Sequence, residues 1–142
     1  YKRQDYYNYL SVRSNMAKIQ LVDLAHARSG DKGDTANVGV IVYDMNHYEI
    51  LKELLTVDIV KGHFGEMVKG RVERFELPNL GAVNFLLHNS LDGGGTISLM
   101  NDAQGKVFST ALLRLEIDVP DEIAESVRGR GRAPMGEVDD PL

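Results

Sequence analysis

The chain has 142 residues, enough for one domain with a sizeable core, and 43% of them are hydrophobic, which sets it apart from disordered sequences. Its net charge of −5 argues against a basic nucleic-acid-binding surface, and no apolar run approaches the ~20 residues of a membrane-spanning helix. The absence of Cys excludes disulfides, thiolate catalysis and cysteine-ligated zinc, and suits a reducing cytoplasm.

Residues 1–15, YKRQDYYNYLSVRSN, lack the apolar core of a signal peptide. They read as a tyrosine-rich arm or as a segment derived from a vector or an upstream start, because MAKIQLVDL from Met16 resembles a natural protein start. The folded domain is expected over 16–119, and a polar tail over 120–142. Ile19 to Leu24 is read as a first strand with Asp23 inside it, followed by a polar loop over 26–35. ANVGVIVY (36–43) reads as a strand buried on both faces, or nearly so, with Val38, Val40 and Val42 on one and Ile41 and Tyr43 on the other.

A helix is expected from Asn46, with Glu49 at capping-box spacing and Ile50, Leu51, Leu54 and Leu55 as its apolar stripe. A second helix, capped by Asp58 and ended by Gly70, turns Val60, Phe64 and Met67 inward. RVERFELP (71–78) and GAVNFLLH (81–88) form a hairpin about Pro78–Gly81. Asp102 caps a helix running to about Leu112, with Val107, Phe108, Ala111 and Leu112 inward; the rival is a hairpin turning at Asp102–Gly105. Leu113, Leu115, Ile117 and Val119 alternate with polar residues as a last strand. After Pro120 the composition predicts a short helical start and then a polar tail, whose RGRGR reads as solvated or subunit-clasping.

Setting the first strand aside, the order is strand, helix pair, two strands, helix, strand. That is the split βαβ, ferredoxin-like pattern: an α+β, βααββαβ sandwich with an extra N-terminal strand and helices on one face of an antiparallel sheet. The other face is left to water, the extra strand, a tail or a partner.

HARSGDKGDTANVG (26–39) is the most polar part of the domain. Gly30 and Gly33 allow successive backbone N–H groups to face one anion, and Arg28 and Lys32 supply positive charge. Ser29 and Asn37 add hydrogen-bonding groups to the same candidate site. The spacing is not that of a Walker A loop, and Asp31 and Asp34 lack an EF-hand pattern, so no metal is assigned. A loop closed by its own salt bridges and Asx turns remains an open alternative. In FLLHNSLDGGGT, His88 and Asn89 stand at a strand end beside Gly93, Gly94, Gly95 and Thr96, with Asn84 on the same strand face as His88. His88 or His26 could serve as general acid or base, with Asp31 or Asp34 as a carboxylate partner, although a lone His is more often structural. His47 and His63 read as surface or packing residues. There is no G-x-S-x-G elbow for a nucleophilic Ser.

LAHARSGDKGDTANVGVIVYD, ERFELPNLGAVNFLLHNSLDGGGTISLMNDAQGK and ALLRLEIDV together resemble the small C-terminal domain of the AtuA family, named for acyclic terpene utilisation, over about residues 18–119. The resemblance implies a ferredoxin-like fold and a place in catabolism of terpenoid and other acyl-CoA compounds. It also implies a large domain that precedes this one in the family and would here be a separately encoded subunit. The family's distinctive positions fall on His26, Arg28 to Asp34, Asn37, Asn79, Asn84, His88 and Gly93–Gly95. The preferred reading is therefore a cytoplasmic small subunit of an AtuA-type complex, homo-oligomeric as well, with its polar segments facing an acyl-CoA or other anionic molecule or a partner. No cofactor, nucleic acid or membrane is assigned. The alternatives are a small enzyme holding an anionic substrate through RSGDKGDT, and a purely structural homo-oligomer.

Overall fold

The structure, a computed structural model, describes residues 15–90 and 106–128. The expected cap at Asp102, its rival hairpin turn, the side chain of Val107, the arm before Asn15 and the tail beyond Arg128 lie outside the described residues.

The fold is α+β, with antiparallel sheets and helices in the ferredoxin-like class. Strand β1 spans Met16–Gln20 and stops earlier than expected. The buried carboxylate of Asp23 accepts the backbone N–H of Gln20 at 3.1 Å, which folds Leu21–Leu24 into a single helical turn, α1, in place of a strand. The segment expected as a loop over 26–35 is mostly strand: β2 spans Ala25–Lys32 and pairs antiparallel with β3, Thr35–Val42. Only Gly33 and Asp34 lie outside the ladder, and Gly33 has φ +66, as the first central residue of a type II′ hairpin turn requires.

Asp44, not Asn46, caps a 3₁₀ turn, accepting the N–H of Asn46 at 2.9 Å, and α2 follows at Tyr48–Leu54. Thr56, not Asp58, caps α3 (Val57–Phe64), with Oγ1 accepting the N–H of Ile59 at 3.1 Å. This helix ends at Gly65, φ +59, rather than at Gly70, so Met67 is exposed instead of inward. Strands β4 (Val72–Leu77) and β5 (Ala82–Leu87) form the expected hairpin about Pro78–Leu80, and helix α4 runs over Lys106–Leu113. Arg114 and Leu115 close the end of α4 with N–H bonds back to Ala111 and Leu112, so β6 begins only at Glu116 and runs to Pro120. Helix α5, Asp121–Val127, buries Ile123, Ala124 and Val127. Among the described residues no helix is long and apolar enough to cross a membrane.

The main sheet has the order β2-β3-β5-β4, every neighbour antiparallel. β3 and β4 are therefore parallel to each other, joined by the helix pair with β5 inserted between them, which is a split βαβ unit. A regular continuation would lay β6 beside β3, but β2 already occupies that edge through its two-residue hairpin. β6 pairs with β1 in a second, two-stranded sheet, and α5 packs on that pair.

Helices cover one face of the main sheet, so β3 is buried on the side of Val38, Val40 and Val42 and not, as expected, on both, and Tyr43 just after it is exposed. Val38, Val40, Val83, Phe85 and Leu87 are fully buried against Ile50, Leu51, Leu55, Val60 and Leu112, with Phe64 and Phe108 meeting edge to face at 5.2 Å. Arg74 points to the same side and ties α2 to the sheet: Nε donates to the Leu55 carbonyl at 2.8 Å and Nη2 to that of Lys52 at 2.6 Å. These carbonyls at the helix C-terminus would otherwise need water.

Candidate functional site

No element of the described chain lies over the other face of the main sheet, and strand parity dictates what that face carries. The registers set four cross-strand rows. His26, Ile41, Ala82 and Leu77 form one row, and Arg28, Gly39, Asn84 and Phe75 the next. Gly30, Asn37, Leu86 and Glu73 follow, and Lys32, Thr35 and His88 complete the face. The alternate residues of the motif strand thus present His26, Arg28, Gly30 and Lys32 on one surface. The interleaved Ala25, Ala27 and Ser29 are small because α4 packs beneath them, and the N–H of Ser109 donates to Ser29 Oγ at 3.3 Å.

Two features shape this face. Over Gly39 lies a hollow of about 350 Å³, bordered by Arg28, Asn37, Asn84, Ile41, Leu77 and Leu80. Gly39 makes room for it: a Cβ there would lie 3.3 Å from Asn84 Oδ1. Among the described residues the side chains of Arg28, Asn37 and Asn84 have no hydrogen-bond or ion-pair partner. Leu77 and Leu80 on its border are open, 41% and 65% exposed, and Phe75, Tyr43 and Met45 are exposed nearby. Tyr43 stacks on His26 with ring centroids 5.5 Å apart.

The second feature is a chain of side chains in the neighbouring rows. His88 Nε2 lies 2.7 Å from Glu73 Oε1, and Nδ1 lies 3.3 Å from Thr35 Oγ1. The hydrogen bond from His88 holds the Glu73 carboxyl below its ordinary range, assisted by Arg71, whose Nη2 is 3.5 Å away. Because the folded value is lowered, this contact stabilises the native state above the ordinary Glu value of 4.5 and loses that effect as pH falls through the lowered value. Acidification below 4.5 is therefore expected to shift the His88 ring and Thr35 amide resonances, and Glu73→Gln is expected to abolish that acid transition. An unchanged acid limb in the variant would exclude Glu73 as its origin.

The structure separates several residues that the sequence reading groups together. The carboxylate facing His88 is Glu73, in place of the expected Asp31 or Asp34. Asp31 has the parity of the helix-covered face at the exposed edge of β2. Asp34 Oδ2 accepts from Asn89 Nδ2 at 3.2 Å, and its carbonyl accepts the N–H of Ser90 at 3.1 Å. Asp34 and Asn89 thus clamp the β2–β3 turn to the end of β5. Gly33 shapes the turn and Ser29 faces α4. Among the described residues Arg28 borders the hollow over Gly39 but His26, Lys32 and His88 do not, so the small-enzyme reading in that form is set aside. Gly93, Gly94, Gly95 and Thr96 lie outside the described residues. His47 is buried in the 3₁₀ turn, and His63 Nε2 is 2.8 Å from the Ala111 carbonyl oxygen.

Sequence reasoning missed Thr35, Glu73, Phe75 and Leu77. The signal was present: Glu73, Phe75 and Leu77 alternate along RVERFELP, and hairpin register puts them on the face of Asn84 and His88. A larger hollow, about 490 Å³, lies between α3 and β6, but it is mainly apolar, and its only His, His63, is engaged with the Ala111 carbonyl. Among the described residues no three His, Asp or Glu side chains group as metal ligands.

The family model of the AtuA ferredoxin-like domain matches residues 19–118. No curated protein matches the chain, and no solved structure does.

Proposed function

The chain belongs to the AtuA ferredoxin-like domain family, and on that premise we propose that it is the small accessory unit of an AtuA-type assembly. It would sit through its uncovered sheet face on a larger AtuA-type partner, in cytoplasmic catabolism of terpenoid and other acyl-CoA compounds. The observation that supports this most is the sheet face itself, where Phe75, Leu77 and Leu80 stay exposed around unpartnered polar groups. Exposed aromatic and aliphatic side chains contiguous with an Arg are the composition of an interface. On a chain of net charge −5, this face carries Arg28 and Lys32 against Glu73. That balance fits a partner patch bearing carboxylates among apolar side chains. Co-expression with the large AtuA-type proteins of the same organism should yield a single co-eluting complex. Elution of this chain alone, or as a self-associated dimer through the same face, would overturn the reading.

A second reading is favoured by the Glu73–His88–Thr35 chain. A His held by a carboxylate on one ring nitrogen and facing a hydroxyl with the other is the arrangement of a proton-transfer site. On this reading His88→Gln abolishes turnover by the assembled complex while leaving assembly intact; unchanged turnover would exclude it.

A further inference from the structure

We propose that the hollow over Gly39 binds the carboxylate of a small aliphatic acid, with Arg28 as its counter-ion and the hydrocarbon lying across the sheet toward Leu77. The inference rests on the uncovered face being the functional one, and it adds a ligand class to that face.

The polar end consists of one guanidinium and two carboxamides, Arg28, Asn37 and Asn84, all bordering the hollow. Their N–H groups offer planar donors without a competing partner among the described residues, and a guanidinium fork matches a carboxylate in shape. Charge selects between anions. Among the described residues that border the hollow, Arg28 is the one cation. A monoanion is neutralised by Arg28, whereas a phosphate dianion would remain under-compensated. The polyphosphate end of a coenzyme thioester fits poorly for the same reason.

The apolar end follows from the strand order. Leu77 and Leu80 border the same hollow on the side away from Arg28, with Ile41 of β3 in between. From β2 to β4 the path crosses three inter-strand steps, about 14 Å, so the hydrocarbon of a six-carbon acid runs part of the way from the guanidinium toward Leu77. Gly39 is what leaves the path open, since any side chain there would stand between Arg28 and Asn84.

The test is an amide-resonance titration of the intact chain with hexanoate, hexan-1-ol and inorganic phosphate. Hexanoate should saturate at about millimolar concentration and shift the amides of Arg28, Asn37, Gly39 and Asn84. Hexan-1-ol and phosphate should bind far more weakly. Arg28→Gln, on an exposed edge position, should keep the native spectrum and lose hexanoate affinity about tenfold or more. Gly39→Val should block the site, and its spectrum shows whether the sheet is kept. Equal binding of hexan-1-ol and hexanoate, tighter binding of phosphate, or affinity retained in Arg28→Gln would overturn the proposal. If hexanoate fails to bind while the AtuA-type partner still co-elutes, only the ligand assignment falls. If hexanoate binds through Arg28 and no partner is found, only the docking reading falls.

Discussion

If the sheet face is the docking surface proposed above, replacing Phe75 and Leu77 with Glu is expected to release the chain from an AtuA-type partner while leaving its own fold in place. Both side chains stand on β4, an edge strand, and keep 45% and 41% of their surface in water. Such positions change intrinsic stability by about 0.5 kcal/mol each when substituted. A central interface aromatic contributes about 2 kcal/mol or more to binding, and two new carboxylates facing a carboxylate-bearing patch add repulsion. The double variant should therefore lose at least about thirtyfold in affinity with an almost unchanged thermal midpoint. Ile59→Glu is the matched control: Ile59 is 45% exposed but on α3, across the molecule from the sheet face, and its substitution should not disturb the complex. Co-elution undiminished in the double variant, or lost equally in the control, would show that the partner sits elsewhere.

Phe85→Ala should do the opposite, costing roughly 3–5 kcal/mol of stability. Phe85 is fully buried on β5, the strand flanked by both β3 and β4, and its register neighbours are Val38 and Arg74. Truncation opens a cavity in the middle of the helix-covered face, between two well-anchored strands that cannot close over it. Against a total stability of about 5–15 kcal/mol, the loss is a large fraction and should appear as a marked drop in the urea midpoint. Phe75→Ala, one position along the hairpin register and on the opposite face, should leave that midpoint almost unmoved. A small effect at Phe85 would mean that the helix layer is packed less tightly than its burial indicates.

Those two phenylalanines show what was legible in the sequence and what was not. In VNFLL the apolar Val83, Phe85 and Leu87 share one face, so Phe85 is readable as core from sequence alone. RVERFEL alternates as well, but its inward positions are Val72, Arg74 and Glu76, and neither charged residue reads as inward. Arg74 lies inward because the end of α2 supplies carbonyls for its guanidinium. Polar composition concealed β2 in a similar way. His26, Arg28, Gly30 and Lys32 read as loop residues, while the period-two signal lay in the small residues between them.

By itself, the sequence determined the α+β class, the β4–β5 hairpin, the buried face of β3 and the family signature centred on residues 26–37, because apolar periodicity and turn chemistry are local properties. Tertiary structure alone decided that β2 takes the sheet edge where β6 would otherwise lie, that Glu73 rather than Asp31 or Asp34 meets His88, and that Arg28, Asn37 and Asn84 surround one hollow. Each of these depends on cross-strand register between segments about ten to fifty residues apart. A side chain's period shows which residues share a face, but only the pairing of strands shows which of them meet.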